Sequence, residues 1–467
     1  MNYARTPEEA GVSSQGILSY LQAVKETGQE LHNVMLLRHG KVAWQASWAP
    51  AQLEEPHMLF SLSKSFTSMA AAFAVSEGRM KYTDRVVDLL PAQAPAQPSE
   101  ELKRVTVHHL LTMTSGLDPK SDEDEHDVED LAQHVLSFPI VHEPGAFFHY
   151  NSHGTYLVSR IVQELTGQPI VDYLMPRLFV PLGIAQPYWE RDNKNACMGG
   201  WGLRLCTQEI ATVGQLLLQK GVWNGQRVLP EFFFTTATVK QADNSNGKPD
   251  PESDWAQGYG YQFWRCIGDY YRGDGMCGQL MIVIDRLDAV IAVTAAQGDM
   301  GIEIRTIREK LVAAIAESDV LPENEAAFEA LQKATAALSI TTAQPADDGS
   351  VIVPEGIYRS DDGAVLVIVK DGASLTFHLT DCRSATPFSI IYGETPFCKV
   401  IAPFNPFDPP MRYRAAYRIE NGKLITDMLM PAGPVHRHGE MTFTEDGLTE
   451  KVSGNMFERQ TTHFRKC

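Results

Sequence analysis

The chain has 467 residues, of which 44% are hydrophobic and 21% charged, and a net charge of −18 at pH 7. That length fits two or three domains with a sizeable core, and the acidity argues against nucleic acid or an anionic membrane surface as a partner. The N-terminus lacks the apolar run of a secretory leader, and no segment approaches the ~20 apolar residues of a membrane span, so a cytoplasmic chain is expected.

The first recognisable element is a hairpin over residues 33–48, with Val34-Met35-Leu36-Leu37-Arg38 turning at His39-Gly40 into Val42-Ala43-Trp44-Gln45-Ala46. An apolar helical segment follows over residues 60–75, and it opens with Ser61-Leu62-Ser63-Lys64. Positions i and i+3 share a helix face, so the Ser61 hydroxyl and the Lys64 amine can touch. A serine needs a neighbouring base to become a nucleophile, and a lysine buried on an apolar helix loses its charge readily enough to be that base. The motif alone is weak. It occurs by chance about once in a chain of this length, and a capped helix with a solvated lysine reads the same way.

An acidic run at residues 121–130 reads as a solvated loop or as a lid that disfavours anions. Next comes His149-Tyr150-Asn151-Ser152, directly before an amphipathic helix over residues 156–165 that is closed by Gly167. A tyrosine there can point into a cleft and, pressed by Lys64, exist partly as phenolate and shuttle a proton; in isolation it is an ordinary core or cap residue. Thr207-Gln208-Glu209 caps a helix over residues 210–220, ended by Gly221. Strand-like runs return at residues 259–264, 279–284 and 289–294, and residues 302–316 read as a helix. Between them, Arg272-Gly273-Asp274-Gly275-Met276-Cys277-Gly278-Gln279 leads into an apolar strand. Glycines there let a ligand approach the backbone, and an N–H at the strand edge can complete an oxyanion hole with that of Ser61, although a plain hairpin turn fits too.

Residues 322–338 read as an Ala- and Glu-rich helix and residues 341–350 as a linker. Short strands then recur at 365–369, 375–379, 413–419, 424–430 and 441–444, an all-β barrel or sandwich. The expected organisation is an α+β domain at 1–318, a helix and linker at 319–352, and an all-β domain at 353–467. Strands from both ends of the first domain would join in one sheet. The seven cysteines (Cys197, Cys206, Cys266, Cys277, Cys382, Cys398 and Cys467) lack C-x-x-C spacing and read as reduced thiols. His436-Arg437-His438 finds no Cys, Asp or His at ligand spacing in the sequence, so no metal is expected.

The order and spacing of Ser61-x-x-Lys64, Tyr150-Asn151-Ser152 and the Gly275 segment resemble the serine β-lactamase-like superfamily: class C β-lactamases, related DD-peptidases, and esterases and amidases of that fold. The resemblance covers most of residues 7–318. It includes connecting segments such as Val105-Thr106-Val107-His108-His109-Leu110-Leu111-Thr112-Met113-Thr114-Ser115-Gly116-Leu117, Pro181-Leu182-Gly183-Ile184 and Gly200-Trp201-Gly202-Leu203-Arg204-Leu205-Cys206-Thr207, to which no catalytic role is assigned.

It implies an antiparallel sheet flanked by helices with an all-helical subdomain. Ser61 would be the acylated nucleophile, Lys64 its base and Tyr150 the general base and acid. Ser152, Gly275, Cys277 and Gly278 would serve the substrate and the oxyanion. Two departures matter. Ser152 stands where class C enzymes carry Asn, and Gly273 stands where Lys or His would hold a substrate carboxylate, unless Arg272 swings in.

The leading expectation is therefore a cofactor-free serine hydrolase acting on a small neutral ester, amide or short peptide, with homo-oligomerisation left open. A D-amino-acid peptidase or β-lactam hydrolase is the alternative within the fold, and a non-catalytic binding or regulatory module the alternative outside catalysis.

Overall fold

A computed structural model describes residues 2–118, 128–185, 187–340, 348–380, 388–393, 397–401, 411–455 and 457–467. Most of the acidic run and of the linker, Cys382 and the Cys398 side chain lie outside what is described.

The organising element is a seven-stranded sheet. Its strands are β1 (Asn2–Tyr3), β2 (Leu31–Arg38), β3 (Lys41–Ser47), β4 (Trp264–Arg265), β5 (Tyr271–Gly275), β6 (Gln279–Ile284) and β7 (Ala289–Ala295), in the order β1-β3-β2-β7-β6-β5-β4. All pairs are antiparallel except β1 with β3. Strands from the two ends of the domain do meet, β2 pairing with β7. Both faces are covered. Met35, Leu37, Met281, Val283, Val290 and Ala292 pack into one apolar core, and Val34, Leu36, Leu280, Ile282, Ile291 and Val293 into another. A sheet buried on two sides needs no polar face, which is why β6 and β7 read as continuous apolar runs.

The first core holds helices α2 (Ser63–Ser76), α3 (Ser152–Thr166) and α4 (Thr207–Leu218). The second holds α1 (Ser14–Glu26), the helical stretch that begins as α5 (Met300–Thr306), and α6 (Glu325–Ala336). In α6, Leu331 is buried in that core and Thr335 Oγ1 accepts a 3.2 Å hydrogen bond from Trp44 Nε1, so this helix packs on the sheet domain.

The remainder is a β-barrel. Strands β8 (Gly356–Ser360), β9 (Val365–Asp371), β10 (Ser374–Thr380), β11 (Phe388–Gly393), β12 (Phe397–Ile401), β13 (Met411–Glu420), β14 (Lys423–Met430), β15 (Val435–Thr444), β16 (Gly447–Gly454) and β17 (Phe457–Lys466) form one antiparallel series. A pairing of Gly393 with Ala416 joins β11 to β13 and closes nine of them, leaving β12 on the flank of β13. Closure removes the exposed edge an open sheet would present.

Several expectations need correction. Residues 259–263 are irregular, with Gln262 at φ +67 and its amide donating to the carbonyls of Leu110 and Leu111. The strand lies at β5 instead, where Gly-Asp-Gly hid it. The helix expected at 210–220 starts earlier, at Thr207, because Glu209 reaches back to the Cys206 N–H. Five barrel strands (β8, β11, β12, β16 and β17) were not foreseen. The five described cysteines with placed side chains are free thiols.

Candidate active site

Ser61 lies in a single 3-10 turn, Phe60–Leu62, that runs into α2. Phe60 carries φ +46, a left-handed conformation that a bulky side chain rarely adopts, so the strained residue sits immediately before the candidate nucleophile. From the first turn of α2, Lys64 extends its amine to three acceptors: Ser61 Oγ at 2.8 Å, Ser152 Oγ at 2.9 Å and the Gly200 carbonyl at 2.7 Å. Lys64 is only 1% exposed, and burial lowers its pKa to about 7, with Asp274 opposing. Here the sequence expectation and the geometry coincide. Desolvation brings the amine to a basicity at which it can be neutral in neutral solution.

Tyr150 closes the other side. Its ring stacks on Trp264 with centroids 5.5 Å apart, and Lys64 Nζ lies 4.8 Å from its centroid. Burial, then Asp274, push the phenol well above its ordinary range, while a hydrogen bond with Ser61 and the charge of Arg272 work against the shift. The expected phenolate is therefore not the resting form. Tyr150 stands as a neutral hydroxyl beside Ser61. Asn151 caps α3, accepting from the Gly154 N–H at 3.0 Å and donating to the Leu117 carbonyl at 3.0 Å, which leaves Ser152 as the residue that reaches Lys64.

Glycines bring these pieces together. A Cβ on Gly275 would lie 2.1 Å from the Leu59 carbonyl oxygen, so β5 can rest against the nucleophile turn only with glycine there, and one on Gly273 would lie 2.5 Å from Ser65 Oγ, so a side chain at that position would have to displace Ser65 and Leu62. Gly200 is held as closely, since its Cβ would meet the Ser152 carbonyl oxygen at 2.6 Å. The segment around Gly200, given no catalytic role from the sequence, thus supplies a direct acceptor for Lys64. No side-chain signal marked it, because the contact is made by backbone.

The turn after Gly275 is used differently from what was expected. The Gly278 N–H bonds the Gly275 carbonyl at 3.2 Å, so it is not aimed at a substrate. The Cys277 carbonyl accepts from the Gln297 N–H at 3.0 Å, and the Cys277 thiol is buried and raised to about 11 by desolvation and then by Glu303. Met276, directly after Gly275, is exposed at 47%.

Arg272 does not reach the cleft. It is 0% exposed, on the face of β5 opposite to Gly273 and Gly275. Its Nε and Nη2 lie 3.0 and 2.9 Å from Asp274 Oδ2, its Nη1 donates to the Asp254 carbonyl at 3.0 Å, and its guanidinium lies over the rings of Trp255 and Trp264. Beneath the turn, Glu303 is fully buried with neither carboxyl oxygen hydrogen-bonded, and burial raises its pKa to about 8.

A buried lysine against a serine, a tyrosine hydroxyl and a glycine-edged strand is the architecture of the penicillin-recognising hydrolases. Residues 28–315 match the Beta-lactamase family model, and the chain belongs to that family. It is 35% identical over 130 residues, 27% of this chain and 34% of the relative, to penicillin-binding protein 4 of Amycolatopsis lactamdurans. Over 165 residues, 29% of this chain and 40% of the relative, it is 26% identical to the lovastatin esterase of Penicillium rubens. The octameric penicillin-binding protein homologue from Pyrococcus abyssi superposes with a TM-score of 0.50 at 15% identity, covering 97% of this chain and 99% of that one. The chain spans 34% to 56% of the length of the first curated relatives it matches.

Proposed function

We propose that this protein is a serine hydrolase that forms an acyl-enzyme on Ser61 and acts on small, uncharged esters or amides. The observation that carries this reading is the 2.8 Å contact between Lys64 Nζ and Ser61 Oγ, made by a lysine that burial has brought to a pKa of about 7. In the neutral form Lys64 takes the Ser61 proton as Oγ attacks the substrate carbonyl carbon. The N–H groups of Ser61 and Met276 would then bind the oxyanion that develops. Collapse expels the alcohol or amine, which receives the proton through the Tyr150 hydroxyl, and water then releases the acid by the reverse transfers.

The preference for uncharged substrates rests on Arg272. A guanidinium sealed behind β5 and neutralised by Asp274 offers nothing to a substrate carboxylate, while Tyr150, Trp264, Tyr259 and Phe148 form an aromatic cluster beside the nucleophile. A fluorescent phosphonate should label the wild-type chain and not Ser61→Ala; labelling unchanged by that substitution would remove the acyl-enzyme reading. Nitrophenyl acetate or butyrate should be hydrolysed with a higher kcat/KM than penicillins or cephalosporins. The reverse order would favour the β-lactam or D-amino-acid peptide reading.

A further inference from the structure

Outside the candidate active site, the most concentrated chemistry lies where the barrel meets the sheet domain. On β15, His436 and His438 are two residues apart and face the same way, while Arg437 between them points into the barrel and bonds Glu450 at 2.6 Å. Asp427 on β14 sits directly across the ladder from His438. The two imidazole centroids are 4.3 Å apart. His436 Nε2 is 3.1 Å from Asp427 Oδ1, and His438 Nδ1 is 2.9 Å from Asp427 Oδ2. One ligand atom from each of the three residues falls within a span of 4.8 Å. The absence of a partner for His436 and His438, expected from sequence spacing, does not hold, because the partner comes from the neighbouring strand.

We propose that Asp427, His436 and His438 bind a divalent transition ion of the zinc type. Four observations converge. Two imidazole nitrogens and a carboxylate are the borderline donor set that suits zinc better than magnesium or calcium. The two imidazoles already converge on opposite oxygens of one carboxylate, at 3.1 and 2.9 Å, so a modest rearrangement of these side chains brings one donor from each to the roughly 3.3 Å spacing set by metal–nitrogen bonds of about 2.0–2.1 Å. Glu30, from the sheet domain, accepts from His436 Nδ1 at 2.7 Å, the outer carboxylate that typically orients a metal-binding histidine.

The fourth observation is charge. Glu30 and Asp427 put two carboxylates around one buried imidazole, His436. A divalent ion held by neutral imidazoles would offset both carboxylates. His438, with 48% of its side chain exposed, leaves the solvent side open for entry and for a water as fourth ligand.

The position gives the ion a task. The turn between β14 and β15 packs on the strand leading to the nucleophile: the Met58 N–H donates to the Ala432 carbonyl at 3.0 Å, and a Cβ on Gly433 would lie 2.9 Å from Met58 Sδ. Glu30 continues inward to His32 at 3.5 Å, and His32 Nδ1 meets His57 Nε2 at 3.0 Å, four residues before Ser61. The ion would clamp this barrel hairpin to the sheet domain next to the Ser61 turn, a structural role that does not depend on the hydrolase reading.

The test uses the full chain carrying Cys467→Ser, so that the exposed terminal thiol takes no part. After chelator treatment and removal of the chelator, zinc is titrated against a chromophoric competitor, and cobalt is added separately to read its visible absorption. The expected result is one equivalent of zinc and the absorption of four-coordinate cobalt. Glu30→Gln should weaken zinc binding about 10–100-fold and His438→Ala by at least as much, with His378→Ala as an unaffected control. His438 is half-exposed, so its removal should spare the fold; Asp427→Asn is the second ligand variant, checked by its circular dichroism. Absence of stoichiometric uptake by the parent chain would overturn the proposal, as would equal affinity in the parent, His438→Ala and folded Asp427→Asn.

Discussion

In the proposed reaction, Lys64 sets the pH at which Ser61 reacts. Its amine is buried against three oxygen acceptors and has its pKa lowered to about 7 by desolvation. Only the neutral amine can take the serine proton, so kcat/KM for a neutral ester should rise as pH increases through about 7 and then level off. A pH–rate profile with no ionisation near that value would argue against Lys64 as the base, since kcat/KM reports groups of the free enzyme. Lys64→Arg keeps the charge but cannot lose its proton, and Lys64→Ala removes the base; each should cost roughly two to four decades. Tyr150→Phe should cost a similar amount, and the double variant with Lys64→Ala little more than either alone, because the two move one proton. Burst-phase acylation kinetics on all four proteins would check this, and near-normal acylation by Tyr150→Phe would sink the assignment of the hydroxyl.

Among the elements, β5 carries the tightest constraint. Gly275→Ala must push the strand away from the Leu59 carbonyl, which a Cβ would approach to 2.1 Å, and so displace from Ser61 the edge proposed to bind the oxyanion. A misplacement near 1 Å costs on the order of 100-fold, so kcat/KM should fall by about that factor while unfolding, measured by heat or denaturant, changes less. Below the following turn, Glu303 is protonated in the folded state at neutral pH, its pKa raised from 4.5 to about 8. A carboxyl with a raised folded pKa contributes stability that is complete below its unfolded pKa and is lost as pH rises through the folded one. Stability against heat should therefore fall between about pH 4.5 and about pH 8, by several kcal/mol at roughly 1.4 per unit, and Glu303→Gln should flatten that loss. An identical alkaline loss in the variant would assign it to other groups. The elements also show what sequence could carry. Strands β6 and β7 were legible because burial on both faces leaves unbroken apolar runs. Ser61 and Lys64 were legible because their i, i+3 spacing follows helix geometry, whereas Ser152 was legible only through the family resemblance. Strand β5 was obscured by glycines that its closeness to Ser61 requires, and Gly200 and Asp427 by contacts that depend on backbone carbonyls or on strand register.

At the scale of the whole molecule, the barrel is fastened to the sheet domain by its outward-facing side chains. On β14, Thr426, Met428 and Met430 turn inward and Leu429 outward, where it is fully buried in the second core of the sheet domain. Arg412 on β13 meets Glu55 through two bonds, Nε to Oε1 at 2.7 Å and Nη2 to Oε2 at 2.5 Å, a fork geometry that fixes orientation. The sequence around Gln344-Pro345-Ala346-Asp347-Asp348-Gly349 is polar and rich in turn formers, and Asp348, at its described end, is exposed. Limited proteolysis should cut there first, giving fragments near 1–340 and 350–467. With Leu429 and the Arg412–Glu55 pair in place, the nicked halves should stay together in gel filtration and keep the proposed esterase activity. Leu429→Asp would place an unpaired charge in that core, at a cost of several kcal/mol, and the nicked variant should elute as two species. Separation of the nicked parent without denaturant would mean that the peptide connection, rather than this interface, holds the barrel in place.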